Sequence, residues 1–255
     1  MNSVSAIVVS YHTGPRLKEC LYALATDPEI DELVIVDHGN PAHIADWIVK
    51  FSDAREHVTL LQGQGNIGFG AGVNLGVKYA RGDCLLVINP DAVLKRVSVS
   101  AVMEARQSLH TPWIVGGKIF DINGREERGP RRRDLTLWRA LTSFLGLNTW
   151  TLETEPEPIN PIAMDVISGA LFLISKQSFE QLEGFDEGYF LHVEDVDLCM
   201  RCRQAGGSVI YQPRAGALHY GATSNVPTRT IARHKARGFA RYFRKRAKGP
   251  FSKVT

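Results

Sequence analysis

The sequence predicts an α/β protein with a mostly parallel central sheet and a basic C-terminal helix. Unbroken apolar runs recur at residues 5–10 (SAIVVS), 33–36 (LVIV), 58–61 (VTLL) and 85–88 (LLVI). Such runs mark strands buried on both faces, as parallel strands are. Helical patterns fall between them, which is the alternation of a sheet covered on both sides. At 255 residues, 44% hydrophobic and 22% charged, the chain can bury one sizeable core.

Each element has its own local signal. After the first strand, Gly14-Pro15 opens a helix that carries Leu17, Cys20, Leu21 and Leu24 at helical spacing. The second strand ends in Asp37, and a second helix covers residues 42–51. The third strand leads to a glycine-rich stretch, residues 65–72 (GNIGFGAG), and then to a helix through Asn74, Val77 and Ala80. The fourth strand ends at Asn89-Pro90-Asp91. Beyond residue 120 the pattern loosens into a charged loop, residues 124–133 (GREERGPRRR), and a stretch punctuated by Pro156, Pro158 and Pro161. Order returns with residues 170–174 (ALFLI), a helix over Glu194–Gln204, a strand at residues 208–211 and a basic helix over Thr228–Lys248.

The net charge of +3 hides an asymmetry. Residues 229–253 hold ten Lys and Arg and no acid. The remaining 20 basic residues face 27 acidic ones. An acidic body with a basic tail points to an anionic surface as partner. Residues 1–227 are expected to form one body and 228–255 a helical extension. Ala232, Ala236, Phe239, Ala240 and Phe243 share one helical face, suited to lie in membrane headgroups; the competing expectation packs that face on the body. No apolar run is long enough to span a bilayer and no leader is visible, so a cytoplasmic, peripheral location is expected. Cys20, Cys84, Cys199 and Cys202 lack zinc-site spacing and read as reduced thiols.

Chemistry in an open α/β sheet sits beyond the carboxyl ends of the strands. Asp37 and Asp91 stand there, where Asp can also simply cap the next helix. The glycines of residues 65–72 allow a ligand near the backbone, or serve a plain turn; their spacing is not a dinucleotide fingerprint. Glu194, Asp195 and Asp197 crowd a helix start. They suit the helix dipole, and their repulsion suits one of them to base catalysis. Asp197 and Arg201 are four apart and can pair.

The segments AIVVSYHTG, LVIVDHGN, GNIGFGAGVNLGVKYARGD, LLVINPDA, SGALFLI, GFDEGYFLHVEDVDLCMRCRQAGG and HYGATS, in that order, resemble glycosyltransferase family 2, and within it the bacterial rhamnosyltransferase-like branch. The resemblance covers residues 5–224 and implies a GT-A-type fold. It implies donor binding by Ser10, Tyr11, Asp37, Asn66, Gly68, Asn74, Asn89 and Asp91, with Asp37 reading the nucleotide base. It implies a divalent metal, Mg²⁺ or Mn²⁺, held by Asp91 and His219. Gly169 would lie on the acceptor side. Asp195 would be the catalytic base, with Glu194 beside it. Two positions depart from the commonest pattern: Asn89 replaces the first Asp of the DXD motif, and His38 follows Asp37 where Asn is more usual.

The implied reaction is inverting transfer of a sugar from a nucleotide sugar to a glycan or lipid-linked acceptor. The branch favours dTDP-L-rhamnose as donor, with a UDP-sugar as the other expectation, in cell-surface polysaccharide synthesis. Two rival readings are a sugar-nucleotide pyrophosphorylase, for which residues 10–19 (SYHTGPRLKE) are a poor match, and a non-catalytic nucleotide-sugar or nucleic-acid binding module. Nucleic acid is not expected as a partner.

Overall fold

The computed structural model describes residues 2–127, 129–144, 158–220 and 228–248. The first half alternates strictly: β1 (Val4–Ser10), α1 (Arg16–Ala25), β2 (Glu32–Asp37), α2 (Ala42–Asp53), β3 (Val58–Leu61), α3 (Phe69–Tyr79), β4 (Cys84–Ile88). There follow β5 (Ala92–Leu94), α4 (Ser98–Ala105), β6 (Trp113–Phe120), α5 (Leu137–Phe144), β7 (Ile162–Ala163), β8 (Leu171–Ser175) and α6 (Lys176–Gln181). The chain continues through α7 (Glu194–Gln204) and β9 (Ser208–His219) to α8 (Thr228–Lys248).

The strands form one sheet in the order β3-β2-β1-β4-β8-β6-β9-β5, with β7 beside β9. The expected parallel core is β3-β2-β1-β4. Beyond β4 the sheet is mixed: β8 runs antiparallel to both β4 and β6, while β6 and β9 are parallel. Alternate residues of each strand feed opposite faces. Ile7 and Val9 join Val73 and Val77 of α3, and Val196 and Leu198 of α7, on one face. Ala6 and Val8 join Leu17 and Leu21 of α1 and Ile48 of α2 on the other. Each fully buried Leu or Ile side chain stabilises by about 1.5–3 kcal/mol, so both faces are needed to hold the sheet. The four cysteines are free and buried.

The strand expected over residues 208–211 runs on to His219. Its pairing with β6 jumps from Gly117↔Gln212 to Lys118↔Gly216, a bulge that re-aims the far end of β9. His219 is thereby the last residue of the strand, paired with Ala92.

The aromatic part of the face expected to lie in headgroups packs on the body, as the competing expectation has it. Phe239 and Tyr242 are buried in the core cluster that α3 and α7 share, and Phe243 packs against it. Ala232, Ala236 and Ala240 face outward. Charge complementarity explains the docking. Lys245, only 6% exposed, reaches Asp186 and Asp197, both at 3.0 Å. Arg241 pairs with Asp186 at 2.7 Å and Arg246 with Asp134 at 2.8 Å. Tyr242 donates its hydroxyl to Asp134. Part of the basic tail thus neutralises the acidic body it follows.

Candidate active site

Strand ends and helix starts set several of the candidate side chains. The parallel register places Ser10 beside Asp37. The Asn40 amide donates to both, at 2.8 Å each, and Asp37 Oδ1 also accepts from the Gly39 and Asn40 N–H groups at 3.0 Å. Asp37 therefore caps its own loop while standing at the rim. Tyr11, next along, is exposed and meets the edge of His12. In the glycine-rich turn, Asn66 Oδ1 accepts the Gly68 N–H at 3.1 Å. Gly68 has φ +90°, and a Cβ there would lie 2.6 Å from the Phe190 carbonyl oxygen, so only glycine fits.

Asn74, expected on the donor side, bonds to the segment before α7. Its amide donates to the Phe185 carbonyl at 2.8 Å and to Glu187 at 3.0 Å, and its oxygen accepts the Phe185 N–H at 2.8 Å. Across the same turn, buried Arg201 pairs with Asp197 at 2.7 Å, as the spacing predicts, and donates to the Leu182 and Gly184 carbonyls. Asn74 and Arg201 clamp residues 182–187, which precede α7.

The β4–β8 pairing brings the two halves of the site together. Ile88 lies opposite Leu171, so the Asn89 N–H donates to the Ala170 carbonyl at 3.0 Å. One residue away, the Gly169 N–H donates to Asp195 Oδ2 at 3.0 Å. A Cβ on Gly169 would lie 3.2 Å from the Asp195 Cβ, so glycine lets β8 approach the start of α7. Before that start, His192 and Val193 hold φ values of +69° and +74°. A β-branched residue in that region is strained by about 1–3 kcal/mol, and the strain sits where the Glu194-Asp195 pair is presented.

The two adjacent carboxyls differ. Burial alone would raise Asp195, but the Arg132 guanidinium and the Gly169 and Val196 N–H groups hold it below the usual carboxylate range. Glu194 is pushed up to about 8 by burial and by the charge of Asp195, and its Oε2 has no hydrogen-bond partner among the described residues. Burial thus favours the proton on Glu194, whereas Arg132 and the two N–H groups favour the ionised form of Asp195, the form that can accept a proton.

The third group forms around His219. Its Nε2 lies 3.1 Å from Asp91 Oδ1 and its Nδ1 2.9 Å from Glu127 Oε2. Burial opposes protonation, but the two carboxylates outweigh it and lift the imidazole to about 9. No three His, Cys, Asp or Glu side chains among the described residues converge as a closed metal site. The donor chemistry nevertheless fits a divalent ion. A ligating imidazole keeps its other nitrogen on a carboxylate, as Glu127 holds Nδ1, and leaves Nε2 beside the Asp91 oxygen.

Sequence reasoning missed Arg132 and Glu127. Both lie in the charged loop, which has no periodicity; its run of Glu and Arg beside a strand was the available signal. A cavity of about 410 Å³ is lined by Arg132, Arg133, Asp165 and Arg203 and by none of the expected donor-side residues.

The model of the glycosyl transferase family 2 matches residues 5–182. An N-acetylglucosaminyl-diphospho-decaprenol L-rhamnosyltransferase of Mycobacterium tuberculosis is 28% identical over 249 residues, 89% of this chain and 80% of that protein. The rhamnosyltransferase WbbL of Escherichia coli is 26% identical, over 87% and 85% of the two chains. Among solved structures, the mannosyltransferase PcManGT of Pyrobaculum calidifontis, in complex with GDP-Man and Mn²⁺, superposes with a TM-score of 0.64 at 17% identity, covering 96% of this chain and 65% of that one. GalNAc-T7 with UDP, GalNAc and Mn²⁺ gives 0.65 at 15% identity, over 88% of this chain and 46% of that one. These likenesses show the GT-A-type fold.

Proposed function

The chain belongs to glycosyl transferase family 2, and from that premise we propose that it moves L-rhamnose from dTDP-L-rhamnose to a hydroxyl of a polyprenyl-diphosphate-linked sugar, inverting the anomeric centre. That it is a glycosyltransferase follows from the family and from its rhamnosyltransferase relatives; neither rival reading accounts for both. The observation that carries the mechanism is the Asp195 carboxyl group, paired with Arg132 and tied through Gly169 and Ala170 to the Asn89-Pro90-Asp91 loop.

Asp195 takes the proton of the acceptor hydroxyl. The oxygen attacks the anomeric carbon from the face opposite the nucleoside diphosphate, the bond to the diphosphate oxygen breaks, and the configuration inverts. Arg132 and the Gly169 N–H keep Asp195 ionised and oriented for that transfer. Asp37, Ser10, Tyr11, Asn66 and Gly68 form the nucleoside side of the cleft. Asp91 and His219 would hold Mg²⁺ or Mn²⁺, with Glu127 fixing the imidazole. Such an ion neutralises charge gathering on a leaving diphosphate, and oxygen ligands with one imidazole suit either metal.

The choice of rhamnose rests on the names of the Mycobacterium tuberculosis and Escherichia coli relatives. Initial rates with dTDP-L-rhamnose are expected to exceed those with UDP-hexoses under matched conditions. Faster turnover of a UDP-hexose would overturn the donor assignment.

An anionic membrane surface is proposed as the partner of the outward face of α8. Arg233, Arg237 and Arg244 are exposed there at helical spacing and take no part in the ion pairs that dock the helix. Each basic group near an anionic leaflet contributes about 1 kcal/mol. No helix among the described residues is long and apolar enough to cross a membrane.

A further inference from the structure

The charged loop after β6 carries two dipeptides, Glu126-Glu127 and Arg131-Arg132, with the same division of labour. Glu126 bridges to Phe120 and Arg132 to Val166, so each lies on a short extended piece of chain. Neighbouring side chains on extended backbone leave in opposite directions. Glu126 and Arg131 turn towards each other. Arg131 donates to Glu126 through Nε at 3.0 Å and through a terminal nitrogen at 2.7 Å, and the Tyr211 hydroxyl donates to the same carboxylate at 3.0 Å. Their neighbours reach the two halves of the site, Glu127 meeting His219 at 2.9 Å and Arg132 pairing with Asp195. The Glu127 N–H donates to the Ile119 carbonyl at 2.8 Å, and Arg132 exchanges two backbone bonds with Val166, both 3.0 Å. The Arg131 side chain is 8% exposed and that of Glu126 18%. A pair so buried adds little net stability, because desolvation offsets the attraction. Its two-pronged geometry is suited to fixing direction.

We propose that Glu126 is a positioning residue for both halves of the site: through its bonds to Arg131 and Tyr211 it sets Glu127 against His219 and Arg132 against Asp195. The proposal rests on the reading above that His219 helps to hold a divalent metal and that Asp195 is the base, and it adds the group that aligns the two. His219 ends β9 and Asp195 opens α7, so neither element alone fixes one relative to the other. The loop does so, with one brace at its centre. Loosening that brace disturbs metal binding and the base together, although Glu126 touches neither.

The test uses the full chain and two readouts: Mn²⁺ affinity by electron paramagnetic resonance, with and without dTDP and with no turnover, and the pH profile of kcat. Glu127→Gln removes the carboxylate on His219. It is expected to weaken Mn²⁺ binding about 10–100-fold and to leave the acidic limb of the profile in place. Arg132→Gln removes the cation on Asp195. It is expected to raise that limb, where the base gains its proton, and to leave Mn²⁺ affinity near wild type. Glu126→Gln is expected to do both at once, weakening Mn²⁺ and raising the limb. Tyr211→Phe keeps the Arg131–Glu126 pair and is expected to show the same two effects in smaller measure; it decides the matter should Glu126→Gln fail to fold. A folded brace variant that changes neither property, or only one, would overturn the proposal, because a merely structural Glu126 moves stability alone. Wild-type enzyme that binds no Mn²⁺ would overturn the metal reading itself and the proposal with it, so the wild-type measurement tells the two failures apart.

Discussion

Glu194 and Asp195 are neighbours in sequence and opposites in ionisation. Asp195 is held as a carboxylate by Arg132, whereas Glu194 keeps its proton up to about pH 8. The Glu194 proton stabilises the folded state, since its folded pKa lies above the ordinary 4.5. That contribution is full below the ordinary value and falls away as pH rises towards 8. Glu194→Gln, which copies the neutral acid, is therefore expected to remove this fall: urea midpoints at pH 5 and pH 8 should differ less than in wild type. Its turnover at pH 7 is expected to stay near wild type. A large loss of turnover would transfer the base role to Glu194. The acidic cluster was legible in the sequence because three carboxylates at one helix start are conspicuous. Their division of labour was not, because it depends on Arg132, which reaches Asp195 from 63 residues away. The same holds for His219: nothing local reveals Glu127, 92 residues distant.

Elements position these residues by close approach. The Phe69 N–H donates to the Phe190 carbonyl at 3.1 Å, joining the glycine-rich turn to the segment before α7. Gly68→Ala would bring a Cβ against that carbonyl and adopt a disfavoured φ. The expected loss is about 1–3 kcal/mol of stability, read as a lower denaturant midpoint, together with weaker donor affinity by calorimetry. On α8, Lys245→Met would leave fully buried Asp197 short of a partner and is expected to cost about 3–5 kcal/mol. Unchanged stability would mean that Arg201 and Tyr189 suffice for that carboxylate. The strands β1 to β4 were legible because continuous apolar runs have few other readings. β6 was not: Gly116 and Gly117 interrupt its sequence, because Cβ atoms there would lie 2.8 Å from Ile167 and from Leu171. The apolar stripe of α8 was visible, but periodicity cannot say whether lipid or protein covers it. Asp134, Asp186 and Asp197 decide in favour of protein.

Over the whole molecule, the basic tail and acidic body are complementary parts of one packed structure. A chain ending at residue 227 would lose Phe239 and Tyr242 from the core and strand Asp186 without Arg241 and Lys245. It is expected to lose cooperative unfolding by calorimetry, so membrane binding is better tested by charge reversal on the outward face. Arg233→Glu with Arg237→Glu and Arg244→Glu is expected to abolish co-sedimentation with anionic liposomes while the fold persists; undiminished binding would remove α8 from the membrane account. The role of Asp195 as base is tested by the rate of transfer from dTDP-L-rhamnose to a short-chain prenyl-diphosphate sugar, for wild type and Asp195→Asn, with donor affinity measured alongside. General-base catalysis contributes about 10²–10⁴-fold, so the variant is expected to lose at least about 100-fold in rate while binding donor as wild type does. Near wild-type transfer by Asp195→Asn would contradict the account.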